Sequence, residues 1–193
     1  MKNLIGCVLC GGQSIRMGTD KGLISVEDTP WAKLSANKME ELNIPVVFSV
    51  NQNQLSNYKA LFPTEQCITD HNINVEGPLK GLLSIHQEYP TLDILMMACD
   101  MIDMDKLTLS HLINIYQTEP NHDYYVYKHQ DLIEPFCGIY TSGVLKTVME
   151  SIDNESFQDF SFQHILAIGN TKTIIITDNA PFKNYNKVSD IGY

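Results

Sequence analysis

The sequence predicts an α/β architecture: a mostly parallel sheet covered by helices on both faces. Three observations predict it. Short apolar runs of strand length alternate with segments of helical period through the first two-thirds of the chain. Runs such as 46–50 and 92–99 are rich in β-formers and apolar residues, as strands buried on both faces are. Finally, loops rich in glycine or acidic and amide residues follow four of these runs: Gly11–Lys21, Asn51 onward, Asp70–Gly77 and Asp100 onward. Open α/β sheets bind ligands beyond the carboxyl ends of their strands, so one edge collects all four loops.

Taken in order, Leu4 to Cys10 is long enough for one buried strand, and Gly11-Gly12 ends it. Leu23 to Val26 reads as a short extended piece. Pro30 suits a helix start, and Trp31, Leu34, Met39 and Leu42 give a helix through 42. Val46–Val50 is a strand, and 51–57 is polar and turn-like. Tyr58, Leu61 and Phe62 suggest a short helix ended by Pro63. Cys67–Thr69 is a short strand that delivers Asp70 to a loop. Leu79, Leu82, Leu83 and His86 fall at helical spacing. Leu92–Cys99 is the most apolar strand and runs straight into Asp100. A helix is expected over 107–118, then strands over 124–128 and 136–140 around a polar turn at 129–134. Helices over 144–149 and 160–167 and a strand over 173–177 complete the chain. No repeat or long linker interrupts it, so residues 1–193 are expected to form one domain.

The bulk numbers exclude some functions. The chain has 193 residues, 44% apolar and 19% charged, enough for a full core. Its net charge is −10, which argues against nucleic acid as a partner, because phosphate-backbone binding needs clustered Lys and Arg. One nucleotide needs only a few local cations. Five cysteines, an odd number mostly in apolar runs, suit reduced thiols of a cytoplasmic protein. Cys7 and Cys10 have CxxC spacing, yet strand periodicity puts them on opposite faces, away from zinc or redox chemistry. No apolar run approaches the ~20 residues of a membrane span, and no signal peptide precedes the first strand.

The densest chemistry lies in Leu9 to Lys21, Leu-Cys-Gly-Gly-Gln-Ser-Ile-Arg-Met-Gly-Thr-Asp-Lys. Arg16 is the only arginine in the chain, so it belongs to no basic surface. Two glycines, a guanidinium and an ammonium just past a strand suit a polyphosphate, with backbone N–H groups and cations sharing its oxygens. The glycines alone are equally a common turn. The GxxxxGK[ST] loop is excluded, since Thr19 and Asp20 stand between Gly18 and Lys21, and GxGxxG is absent. Asp100 at a strand end would meet such phosphates, and Mg²⁺ is the cation that joins one or two carboxylates to phosphate oxygens. A simple capping role for Asp100 stands beside that reading. Asp103 and Asp105 are either second ligands or solvated acids.

Leu-x-Gly-Gly-x-Ser-x-Arg-Met-Gly-x-Asp-Lys resembles the signature loop of the molybdenum cofactor guanylyltransferases, within the larger sugar-nucleotide-like nucleotidyltransferase group. The resemblance implies a Rossmann-like sheet of the nucleotide-diphospho-sugar transferase type. It implies that the first loop wraps a nucleoside triphosphate, and that Asp100, in Cys-Asp-Met-Ile where the family has Cys-Asp-x-Pro, binds magnesium. Asp70 followed by Gly77-Pro78-Leu79-Lys80-Gly81 resembles the family's guanine block. A carboxylate can accept the N–H donors of guanine's edge, and glycines allow close approach to a flat base; a Pro-started helix with a small-residue contact reads equally well. Glu134-Pro135-Phe136 resembles a strand near the acceptor, and an edge strand opened by Pro is the plain alternative. Asn184-x-Asn186 resembles a C-terminal motif whose Thr-Pro is replaced here by Lys187-Val188.

The resemblance therefore implies transfer of GMP from GTP to the terminal phosphate of molybdopterin or its molybdenum-loaded form. Arg16, Lys21 and Asp100 are the expected catalytic residues and Asp100 the expected Mg²⁺ ligand. Leu9, Cys10, Gly11, Gly12, Lys21, Asn51, Asp70, Gly77, Pro78 and Asp100 are the expected nucleotide contacts. Proteins that deliver the acceptor are expected to touch the chain only transiently, and neither membrane nor nucleic acid is expected as a partner. Rival readings are a cytidylyl- or sugar-phosphate nucleotidyltransferase and a catalytically silent nucleotide-binding domain.

Overall fold

The computed structural model describes residues 3–11, 20–130, 132–154, 159, 161–176 and 178–185. Among these, the strands in chain order are β1 (Leu4–Leu9), β2 (Ser25–Val26), β3 (Thr29–Pro30), β4 (Val46–Val50), β5 (Cys67–Thr69), β6 (Asp93–Ala98), β7 (Tyr124–His129), β8 (Leu132–Tyr140) and β9 (Thr171–Ile175). The helices are α1 (Trp31–Glu40), α2 (Leu55–Lys59), α3 (Pro78–Glu88), α4 (Lys106–Thr118), α5 (Ser142–Asp153) and α6 (Phe162–Ile168). Seven strands make one sheet in the order β5-β4-β1-β6-β8-β7-β9, and β2 and β3 form a separate antiparallel pair.

The sheet is mostly parallel: β1 runs with β4 and β6, β4 with β5, and β7 with β9. Only β8 is antiparallel to its neighbours, β6 and β7. Every residue of β1 and β4 is buried, because each face of the sheet carries its own core. One core joins Val8, Phe48 and Met97 to α1, α2 and α4 through Met39, Tyr58 and Leu109. The other joins Cys7, Val47 and Met96 to α3, α5 and α6 through Leu82, Leu145 and Ile165. Cys7 and Cys10 fall in opposite cores, as the two-residue period of a strand requires.

Chain order along the sheet decides where a ligand fits. From β1 the chain steps outward to β4 and β5, then returns to place β6 on the other side of β1. The order reverses between β1 and β6, and a crevice opens at the carboxyl ends of two strands that diverge this way. Leu9 pairs with Ala98, so Gly11 and Asp100 stand level, each two residues past the last rung.

Several expected boundaries are corrected. The helix expected around 58–62 lies at Leu55–Lys59, because the Asn51 carboxamide organises the chain earlier. Its Oδ1 accepts from the N–H groups of Asn53 (2.9 Å) and Gln54 (3.1 Å). The polar stretch 129–134 is mostly strand: β7 runs through His129 and β8 resumes at Leu132. Cross-strand pairing overrides polarity there. Tyr127 pairs with Glu134 while Val126 pairs with Gly138, so Pro135, Phe136 and Cys137 bulge from the β7–β8 ladder, while Cys137 stays paired with Met97 of β6. The Tyr140 hydroxyl donates to the Pro135 carbonyl at 2.7 Å and steadies the bulge. Thr29-Pro30 pairs as a strand before α1 starts, and the last strand lies at Thr171–Ile175, two residues before its expected place.

Candidate nucleotide-binding site

The loop after β1 and the loop after β6 meet through a charge pair. Lys21 Nζ lies 3.1 Å from Asp100 Oδ2, and 25% and 17% of the two side chains' surfaces stay accessible. The pair is shielded enough to strengthen its attraction, yet open enough for a ligand to reach it. Each charge also relieves the cost of burying the other. Gly12, Arg16 and Asn186 lie outside the described residues.

Lys21 is held from behind by a network that the sequence did not reveal. Asp20, its neighbour, accepts from the Gly22 N–H (3.1 Å), Gln54 Nε2 (2.7 Å) and the Tyr58 hydroxyl (3.1 Å). Gln54 Nε2 also donates to the Cys10 carbonyl at 3.0 Å. Hydrogen bonds to a charged group are worth about 1.5–3 kcal/mol each, so three donors on one carboxylate fix the loop's end. The packing is tight enough to dictate residue 22. A Cβ on Gly22 would lie 2.1 Å from the Tyr58 hydroxyl oxygen. Asp20 stands in the quoted loop, but Gln54 and Tyr58 looked like ordinary turn and helix residues. Only their arrival beside Asp20 shows their part.

Some expected contacts are already committed elsewhere. The Gly11 N–H donates to the Ser49 carbonyl at 2.9 Å, as does that of Cys10. Both amides are thus paired with β4 in this structure. Gly11 has no positive φ, and a Cβ there would meet nothing closer than 3.8 Å. Asn51 stands at the same edge with its Oδ1 bound to its own turn. Leu9 is buried between β4 and β6, and its carbonyl accepts from the Cys99 N–H at 3.1 Å.

The third loop follows β5. Asp70 is exposed at the strand's end, and desolvation by its surroundings lifts its carboxyl above the usual range despite Lys80 and His71. His71 is clamped, with Nδ1 2.6 Å from Gln87 Oε1 and Nε2 2.9 Å from Glu88 Oε1. Gly77 has φ +72° and opens α3 with Pro78 at the first turn. Nothing lies within 4 Å of its missing Cβ, so conformation rather than crowding requires glycine there. Gly81 is different. A Cβ on it would lie 2.4 Å from Ser49 Oγ and 3.2 Å from Leu9 Cδ2. It lets α3 pack on β1 and β4, as the small-residue contact expected of a Pro-started helix does.

Neither acid after Asp100 is an idle carboxylate. Asp105 caps α4, accepting from the Thr108 N–H at 2.7 Å and the Thr108 hydroxyl at 3.0 Å. Asp103 accepts from the Tyr185 hydroxyl. No group of three or more His, Cys, Asp or Glu side chains that could hold a metal occurs among the described residues. One carboxylate is compatible with Mg²⁺, whose shell is usually completed by substrate phosphate oxygens and water. Glu134-Pro135-Phe136 lies on the same edge, since β8 runs against β6, and burial raises the Glu134 carboxyl. A depression of about 340 Å³ lies at the opposite edge, where the Asp93 carboxylate already accepts from Tyr116 (2.5 Å) and the Ser142 N–H (2.7 Å).

The sheet order, with a lysine and a carboxylate meeting on adjacent loops at its switch point, defines an α/β fold of the nucleotide-diphospho-sugar transferase type. Residues 6–167 match the MobA-like NTP transferase domain, and the chain belongs to that family. A probable molybdenum cofactor guanylyltransferase of Trichormus variabilis is 28% identical over 191 residues, covering 94% of this chain and 88% of that one. A molybdenum cofactor biosynthesis bifunctional protein of Synechocystis is 31% identical over 140 residues, covering 72% of this chain but 39% of its own length. The fold matches the crystal structure of molybdopterin-guanine dinucleotide biosynthesis protein A from Archaeoglobus fulgidus, with TM-score 0.76, 18% identity and coverage of 96% and 93%. No helix among the described residues is long and apolar enough to cross a membrane.

Proposed function

We propose that the protein transfers GMP from GTP to the terminal phosphate of molybdopterin, or of its molybdenum-loaded form, and releases pyrophosphate. The observation that carries this reading is the Lys21–Asp100 pair at 3.1 Å across the switch point. The nature of the guanylyltransferase relatives supports the choice of substrates.

The acceptor is a phosphomonoester with a second pKa of about 6. It is already anionic at neutral pH, so its attack on the α-phosphorus needs no general base. The chain's task is positioning and charge neutralisation. Lys21, oriented by Asp20, holds the triphosphate and stabilises the departing pyrophosphate; Arg16 shares that role. Asp100 would hold Mg²⁺, which would supply positive charge to offset that building on the α-phosphate. Asp70 accepts the guanine N–H donors beside the glycine-led start of α3. The buried, reduced thiols suit a cytoplasmic setting.

The test is pyrophosphate release with molybdopterin, Mg²⁺ and each of GTP, CTP, ATP and UTP. Release with GTP about tenfold faster than with the others, or more, is expected. Release with CTP instead, or nucleotide binding without turnover, overturns the reading.

A further inference from the structure

The loop that presents Asp100 is irregular from the end of β6 to the start of α4 at Lys106. Two turn bonds shape it from within, Met101 N–H to the Ala98 carbonyl (3.3 Å) and Met104 N–H to the Met101 carbonyl (3.1 Å). From outside, Lys38 Nζ on α1 donates to the Ile102 carbonyl. The loop's first residues are held as well: Ser35 Oγ donates to the Cys99 carbonyl at 3.3 Å, the Cys99 N–H donates to the Leu9 carbonyl at 3.1 Å, and Lys21 pairs with the Asp100 carboxylate at 3.1 Å. A further hold comes from far downstream in the chain. The Tyr185 N–H donates to the Asp100 carbonyl at 3.2 Å, and its hydroxyl donates to the Asp103 carboxylate.

Tyr185 is itself firmly seated. It is 4% exposed. Its ring meets Trp31 edge-on at 6.4 Å, and Lys183 Nζ sits 4.6 Å from the ring centroid. Just upstream, Phe182 packs into the α1–α4 core against Tyr127 with ring centroids 4.9 Å apart. The segment is thus anchored twice before it reaches Asp100. Such a seat lets one residue grip both ends of a four-residue span, Asp100 through its backbone N–H and Asp103 through its hydroxyl. Ile102, within that span, has no ring to restrict its backbone.

We infer that Tyr185 is a positioning residue: it fixes the Asp100–Asp103 loop so that the Asp100 carboxylate stands ready for a divalent cation and the triphosphate. This rests on the reading of Asp100 as the metal ligand. It assigns the C-terminal segment a role in metal affinity, acting through Asp100 rather than by contact with substrate. It also assigns Asp103 the job of receiving that grip.

The experiment compares the full chain with Tyr185→Phe, Asp103→Ala and their double variant. Mn²⁺ binding in the presence of GTP is read by electron paramagnetic resonance, and amide exchange of the 99–105 peptide is read without metal. Each single variant should raise half-saturating Mn²⁺ about tenfold and speed exchange in that peptide alone, and the double should be no worse than either single. Unchanged binding and exchange in all three overturns the inference, as does faster exchange throughout the protein, which marks a merely structural residue. Asp100→Asn separates the two readings. If it leaves Mn²⁺ binding intact, the metal reading fails, while exchange in Tyr185→Phe still tests the grip.

Discussion

The two sides of the crevice are built differently. On the side proposed to hold phosphate, the described polar groups are paired before any ligand arrives: Lys21 with Asp100, Asp20 with three donors, and Gln54 with two acceptors. On the side proposed to hold the base, Asp70 is exposed with its carboxyl lifted by desolvation, and α3 begins at Gly77 without a side-chain cap. The difference teaches where preorganisation is needed. A group that must neutralise charge developing during reaction gains most from being fixed beforehand. A group that only chooses a base can wait for its ligand to complete its hydrogen bonds.

The contrast breaks most sharply at Lys21. Lys21→Ala should lower turnover on the order of 10²-fold or more, as loss of a preorganised charge contact does, measured by pyrophosphate release. A near-normal rate would end the distinction between the two sides. Next comes the packing behind it. Gly22→Ala should cost about 1–3 kcal/mol in denaturant unfolding, the range for overpacking, because its Cβ would sit 2.1 Å from the Tyr58 hydroxyl oxygen. Tyr58→Phe removes that oxygen, so the same glycine change should cost less when made on top of it. Equal costs with and without the hydroxyl would show that it is not what excludes a side chain.

The base side should respond more mildly. Asp70→Asn should weaken GTP binding about tenfold, or ~1.4 kcal/mol, and leave ATP binding nearly unchanged; equal loss for both removes Asp70 from base selection. Guanine needs the ionised carboxylate, and burial raises its pKa. GTP affinity should therefore be full at neutral pH and fall as pH drops through that raised value, at a higher pH than for an ordinary aspartate. The smallest effect is expected from the thiols. All five cysteines are buried, and burial pushes those of Cys7 and Cys137 up to about 12. Native protein should react with a thiol reagent only at the rate of unfolding.

Legibility in the sequence followed the range of the interactions. Lys21 and Asp100 were visible because a strand end announces itself through local apolar runs, and α/β sheets place such ends on one edge. The start of α3 at Pro78 was visible too, since proline suits the first turn of a helix; the positive φ of Gly77 was not. Gly81 was ambiguous, because a close helix–strand approach and a base platform ask for the same residue; the close approach became visible only with Ser49 and Leu9 beside it. The partner of the Gly11 amide was not legible, since its acceptor is the Ser49 carbonyl on a neighbouring strand. The bulge at 135–137 was hidden for the same reason, because register depends on the partner strand.

By itself the sequence determined the alternation of strands and helices, the loops that end on one edge, and the charge types those loops carry. These depend on periodicity, chain stiffness and residues close in sequence. Only the tertiary structure decided which of those loops touch, which amides are already spent, and that Asp20, Gln54, Tyr58 and Tyr185 brace the two residues that meet. Hydrogen bonds between residues 34 to 85 positions apart leave no periodic trace in a sequence, because either partner alone is an ordinary polar residue.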